Sequence, residues 1–272
     1  MAWKKYFSGG AAMIALAGSL LVACQGRDGE REKYAALIAG LDTHRECRFV
    51  EGMSKVYQVL LEHGFKRENI RVLGYNKPDD PCSYQSKRPY PIHGLSTKKN
   101  VRDALYEIGE LVDGNDLLFV FTIDHGEKTP KSKQNSNTPL PERPSNLALA
   151  DGHVDQGEFN SYLAGINPSA GIFLFDHCFS GGFAEDLSIG NYVAIASSRD
   201  DEPGYIGEGA DSVSGFLMQA FSDKGNSDRD GNGRVSIREA FDYMRECHMW
   251  TRDGEQHPII RATVDPRQIY LE

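Results

Sequence analysis

The chain has 272 residues, of which 40% are hydrophobic, 25% charged and 10% aromatic, a profile that excludes disordered and collagenous chains and fits one globular domain or two small ones. Its 30 Lys and Arg against 39 Asp and Glu give a formal charge of −9, which leaves no basic footprint for a nucleic-acid backbone, so nucleic acid is not an expected partner. Five Cys in a chain of this length do not make a disulfide scaffold.

Residues 1–23 read as a signal sequence: Lys4 and Lys5 supply a positive n-region, Ala11 to Val22 an apolar stretch, and Leu21-Val22-Ala23-Cys24 the end. Ser8, Gly9, Gly10, Gly18 and Ser19 interrupt the uncharged run, which argues against a transmembrane span. The ending resembles the lipobox of bacterial lipoproteins, in which cleavage precedes the Cys and the new terminal residue, here Cys24, is lipidated. Gln25 follows where that family places Asp to retain proteins in the inner membrane, so the resemblance implies an outer-membrane anchor facing the periplasm. Cleavage removes two lysines and no acids, which takes the formal charge from −9 to −11. The envelope is oxidising and permits disulfides.

A polar tether over residues 24–33 leads to a single domain over 34–272. Tyr34-Ala-Ala-Leu-Ile-Ala-Gly40 predicts a strand buried on both faces. Val56, Val59 and Leu60 place a helix over Ser54 to His63, and Ile70 to Gly74 reads as a second strand. Ser96-Thr97 predicts the cap of a helix with the apolar stripe Val101, Leu105, Ile108 and Leu111, and Asp116 to Thr122 a third strand. Asp155 with Glu158 reads as a capping box, followed by strands over Gly171 to Asp176 and Tyr192 to Ala196. Alternation of strands and helices predicts an α/β domain with a mostly parallel central sheet. Two stretches rich in Pro and polar residues, Glu127 to Asn146 and Asp79 to Gly94, read as long loops without regular structure. Both leave strand ends, where open parallel sheets bind ligands.

The third strand ends in Asp124-His125-Gly126 and the fourth in Asp176-His177-Cys178-Phe179-Ser180-Gly181-Gly182. Neighbouring parallel strands would set both tips side by side, so that the imidazole of His125 could take the proton of Cys178. The backbone N–H groups of Gly126 and Cys178 could then face a developing oxyanion. His177, adjacent to the nucleophile, points to the opposite face of its strand and makes a poor base.

These motifs resemble those of the caspase-like cysteine peptidases, and within them the legumain-like (C13) family, over nearly all of Lys33 to Glu272. The match is carried by the Asp-His-Gly and acid-x-Cys-x-Ser-Gly patterns, in order and in strand context; Glu127 and Phe179 depart from the family's pattern. The resemblance implies a caspase-like three-layer sandwich and a cysteine endopeptidase working through an acyl-enzyme, with Cys178 as nucleophile and His125 as general base and acid. It further implies a specificity pocket of Arg48, Asp176 and Asp211, with Arg45 a rival for the first, suited to Asn or Asp at P1. Were Arg48 to point away, the two acids would suit Arg or Lys instead. A transamidase or ligase would use the same acyl-enzyme, and a silent calcium-binding interaction lipoprotein is the alternative outside enzymology.

Asp228-Arg-Asp230-Gly-Asn232-Gly-Arg234-Val-Ser236-Ile-Arg-Glu239 fits the twelve-residue calcium loop, with side-chain oxygens at positions 1, 3, 5 and 9, the carbonyl of Arg234 at 7 and Glu at 12. Phe216 to Phe221 before it and Ile237 to Met244 after it have helical spacing. A lone loop of this kind binds weakly, so calcium is expected as a structural brace, and no organic cofactor is indicated. A disulfide between Cys47 and Cys82 is conceivable in the envelope. Cys247 and Trp250 are expected to serve in packing alone. Asn135, Asn137, Asn146 and the basic residues Lys128, Lys131, Lys133 and Arg143 make Glu127 to Asn146 open to self-cleavage under either specificity.

Overall fold

The structure, a computed structural model, describes residues 31–40, 47–74, 90–129, 144–185, 187–207 and 211–272. The signal segment, Cys24, Arg45, Cys82 and the stretch proposed for self-cleavage from 130 to 143 lie outside them.

Six strands form the central sheet in the order β2-β1-β3-β7-β8-β9. They are β1 (Lys33–Ala39), β2 (Ile70–Leu73), β3 (Leu117–Ile123), β7 (Ala170–Asp176), β8 (Tyr192–Ala196) and β9 (Ile259–Ala262). All pairs are parallel except β8 with β9. β1, β3 and β7 are apolar over almost their whole length because both faces are covered. The side chains Leu37, Phe119, Phe121, Ile172 and Leu174 point to one face of the sheet and pack under α1 (Arg48–Glu62), α5 (Val213–Ser222) and α7 (Ile237–Cys247). Their neighbours Ile38, Leu118, Val120, Phe173 and Phe175 pack under α2 (Lys98–Gly109), α3 (Gln156–Tyr162) and α4 (Gly181–Glu185). The result is a three-layer α/β sandwich. Short α6 (Lys224–Ser227) and α8 (Met249–Arg252) flank α7.

Several sequence-based expectations are corrected here. Glu127 to Asn146 does not lack regular structure: β4 (Gly126–Lys128) and β5 (Ser145–Leu149) bracket it and pair antiparallel, with β6 (Gly152–Asp155) completing a second sheet. Burial of Leu147, Leu149 and Val154 in the α2–α4 layer drives this pairing, which composition alone does not register. α1 begins at Arg48, six residues ahead of the expected start, because Phe49 and Met53 extend its buried face. Leu111 lies beyond the end of α2 and is 45% exposed. Asp155 caps α3 by accepting from the Glu158 N–H at 2.7 Å. The Glu158 carboxylate itself goes to Lys98 and Tyr162, so that box is half made.

Candidate active site

β3 and β7 pair in a register that sets Ile123 opposite Asp176, so both chains leave the sheet at one level. The two tips meet closely. A Cβ on Gly126 would lie 2.1 Å from the Cys178 carbonyl oxygen and 2.7 Å from His177 Nδ1, which is why glycine follows the histidine. His125 is held from three sides. Its N–H donates to Asp124 Oδ1 at 2.5 Å, its carbonyl accepts from the Ala148 N–H of β5 at 3.0 Å, and its ring meets Phe49 edge to face at 5.3 Å. The buried Asp124 carboxylate occupies the space that a side chain at residue 40 would fill: a Cβ on Gly40 would lie 1.1 Å from Asp124 Oδ2.

The Cys178 loop is tied down by serines. The Ser197 and Ser198 hydroxyls donate to the His177 carbonyl at 3.2 and 3.3 Å, and the Ser198 N–H donates to Ser180 Oγ at 3.2 Å. This is the physical role of the Ser in the Cys-x-Ser-Gly pattern. Gly181 is required because a Cβ there would lie 2.5 Å from the backbone nitrogen of Asp200. Phe179 adopts φ 59°, a left-handed conformation that costs a bulky residue of order 1–3 kcal/mol, and its N–H donates to the Glu202 carbonyl at 3.0 Å. The strain turns the chain sharply after Cys178 and leaves that side chain half-buried.

His125 and Cys178 line one cavity of about 200 Å³, together with Arg48, Phe49, Gly204, Tyr205, Ile206, Gly207 and Trp250. The start of α1 and the segments after β3, β7 and β8 thus converge at the carboxyl edge of the sheet, as expected of open parallel sheets. In the resting arrangement the Cys178 thiol donates to the Gly204 carbonyl at 3.4 Å. His177 also borders the cavity, but its ring is buried against Phe183 at 4.9 Å, and burial pushes its imidazole down to about 4, opposed by a contact with the Cys178 carbonyl. It is neutral at pH 7 and lies one residue beyond the end of β7, so burial and not strand alternation makes it a poor base.

The expected specificity pocket is assembled only in part. Arg48 lines the cavity and donates from Nη1 to the Ile206 carbonyl at 2.9 Å. Asp176 does not line it: the carboxylate is fully buried and accepts from the Ser214 N–H at 3.0 Å through Oδ2. Burial pushes its carboxyl upward, opposed by Ser214 and by nearby His248. Asp211 is also absent from the lining and half-buried behind Gly207, whose N–H donates to its carbonyl at 2.7 Å. The acid two residues before the Cys is therefore used in capping the start of α5. Trp250, expected in packing alone, instead lines the cavity and stacks on Tyr205 at 5.8 Å. No local pattern marks Tyr205 or Trp250, one in an irregular segment and the other in short α8, distant in sequence.

The 228–239 loop folds onto itself. Asp228, Asp230 and Glu239 bring one oxygen each within 4.8 Å of one another, a hard-oxygen donor set that suits calcium. Gly231 and Gly233 take φ 70° and 83°, conformations open to glycine. The Asn232 and Gly233 N–H groups donate to the Asp228 carboxylate. Ser236 caps α7 in a complete capping box with Glu239, whose carboxyl these hydrogen bonds lower against the opposing effect of burial. Asp228, Asp230, Asn232, Ser236, Glu239 and the Arg234 carbonyl are the groups that would hold the ion.

Cys47 is disulfide-bonded; Cys82, the partner considered from the sequence, lies outside the described residues. Cys178 and Cys247 are free thiols, and Cys247 is half-buried against the core. Among the described residues no helix is long and apolar enough to cross a membrane.

No family model matches the sequence, and no curated protein matches it. The fold is similar to the crystal structure of protein GSU0716 from Geobacter sulfurreducens, with a TM-score of 0.57 and 14% sequence identity over 88% of this chain and 97% of that one. At that identity the likeness is one of fold: an α/β sandwich built on a mostly parallel six-stranded sheet.

Proposed function

We propose that the protein is a cysteine endopeptidase of the caspase-like, legumain-like kind, with Cys178 as nucleophile and His125 as general base and acid. The observation that carries this reading is the meeting of a free, half-buried thiol and an imidazole in one cavity at the tips of adjacent parallel strands. Proton transfer from Cys178 to His125 would generate the thiolate that attacks a peptide carbonyl. The same imidazole would then protonate the leaving amine, and water would resolve the acyl-enzyme. Arg48 at the cavity supports Asn or Asp at P1 and disfavours Arg or Lys through like-charge repulsion. Lipidation of Cys24 would anchor the protein in the bacterial envelope, and calcium at 228–239 would brace the start of α7.

The test is cleavage of a P1-varied peptide library by the wild-type protein beside Cys178→Ala, with calcium and with chelator. Cleavage after Asn or Asp that vanishes in the variant is expected. Cleavage after Arg or Lys would keep the peptidase and discard the Arg48 assignment. No cleavage by folded protein would turn the reading to a transamidase lacking its acceptor or to a binding module.

A further inference from the structure

Residues 204–207 form a wall of the cavity but belong to no strand or helix, and a distant side chain holds them. Gln256 is 1% exposed. Its Nε2 donates to the Ser197 carbonyl at 2.6 Å, and its Oε1 accepts from the Tyr205 N–H at 3.0 Å. A carboxamide offers a donor and an acceptor side by side, as a peptide group does, so Gln256 supplies a missing ladder rung between the end of β8 and the wall. Its own N–H donates to the Trp250 carbonyl at 3.1 Å, which fixes the ring stacked on Tyr205.

Gly204 transmits this placement to the nucleophile. Its carbonyl accepts from the Cys178 thiol at 3.4 Å, and a Cβ on it would lie 3.2 Å from Ser197 Oγ and 3.5 Å from Gln256 Nε2. The Gly204 carbonyl therefore fixes where the sulfur rests in the cavity.

We propose that Gln256 is a positioning residue for this site. Its buried carboxamide sets residues 204–207 against Cys178, holding the thiol against the Gly204 carbonyl and Tyr205 and Trp250 as one substrate-facing wall. The inference rests on Cys178 as the site's nucleophile and is independent of which substrate it attacks.

The experiment measures two readouts on the full-length protein and its variants: the pH profile of Cys178 alkylation by iodoacetamide, followed by peptide mass spectrometry, and kcat and KM on the best library peptide. In Gln256→Ala the restraint on the thiol is lost, so alkylation at pH 7 should rise about threefold, while kcat/KM falls about tenfold, mostly through KM. Opposed movement of the two readouts at an unchanged melting temperature is the signature, because destabilisation would also expose the half-buried thiol and lower activity but would lower the melting temperature with them. In Gln256→Glu the carboxylate faces the Ser197 carbonyl and burial favours its protonated form, which regains the donor, so its alkylation profile should follow the wild type on the acid side and depart from it as pH rises and the carboxyl ionises. Wild-type alkylation rates and pH profiles in both folded variants would overturn the inference. If Gln256→Ala does not fold, the Gln256→Glu profile decides alone. Wild-type protein that alkylates but cleaves no peptide would remove the peptidase reading, leaving the alkylation comparison to decide the role of Gln256.

Discussion

The strand-tip cavity and the 228–239 loop are two polar sites built in opposite ways. Every oxygen of the loop comes from one run of twelve residues, and its acids are organised by the loop's own amides and by the capping box of the helix it starts. The cavity draws Arg48, His125, Cys178, Tyr205 and Trp250 from five separate segments, and the acids at the two strand ends, Asp124 and Asp176, are spent on holding backbone. The contrast teaches that a local site is robust to distant change, whereas a convergent one depends on every glycine and serine that sets its approach distances.

The comparison can be broken most severely at the cavity. His125→Ala should lower kcat/KM on the library peptide by at least about a thousandfold with little change in melting temperature, since the ring is half-buried. A variant retaining most of its activity would remove His125 from the chemistry. Gly126→Ala comes next: its Cβ must displace the Cys178 carbonyl, at about 1–3 kcal/mol of stability and about a hundredfold in activity. Denaturant unfolding and steady-state kinetics check the two effects together.

His177 sharpens the contrast by pH. Its imidazole is held down to about 4 when folded, against about 6.5 when unfolded. The unfolded chain therefore binds the extra proton between those values, and stability falls as pH drops from about 6.5 to 4, by up to about 3 kcal/mol, with no contribution above that window. Urea unfolding at pH 7 and pH 4.5 should show this loss in wild type and a smaller one in His177→Gln; equal losses would remove the assignment.

At the loop the effects should be smaller. Calcium at 10 mM, against a dissociation constant of about 10⁻⁴ to 10⁻³ M, should add about 1.4–2.7 kcal/mol, lost in Asp228→Asn and without effect on P1 preference. An unchanged melting temperature would exclude the ion. Ser236→Ala should cost about 1 kcal/mol through the lost cap of α7, read by thermal unfolding in chelator.

Much of the frame was legible from residue patterns. The expected strands fall within a residue or so of the observed ends, because continuous apolar runs such as Leu117 to Ile123 suit burial on both faces and little else. The motif order placed His125 and Cys178 at neighbouring tips, and glycine spacing exposed the 228–239 loop. Less legible was whatever depends on contacts between distant segments. β4 and β5 are short and border a polar insert, so only their pairing reveals them. Trp250 and Gln256 lie in a C-terminal segment with no periodicity, and only packing against residues 204–207 gives them a place at the cavity.

By itself the sequence determined the parallel sheet, the strand-tip positions of His125 and Cys178 and the self-contained oxygen cluster, since each is encoded by hydrophobic period or by spacing within a single segment. The tertiary structure decided which side chains face the cavity. It turned Asp176 onto the Ser214 amide, drew Trp250 onto Tyr205 and set Gly204 against the thiol. A side chain's direction depends on what competes for its polar atoms, and those competitors meet it only once the chain has folded.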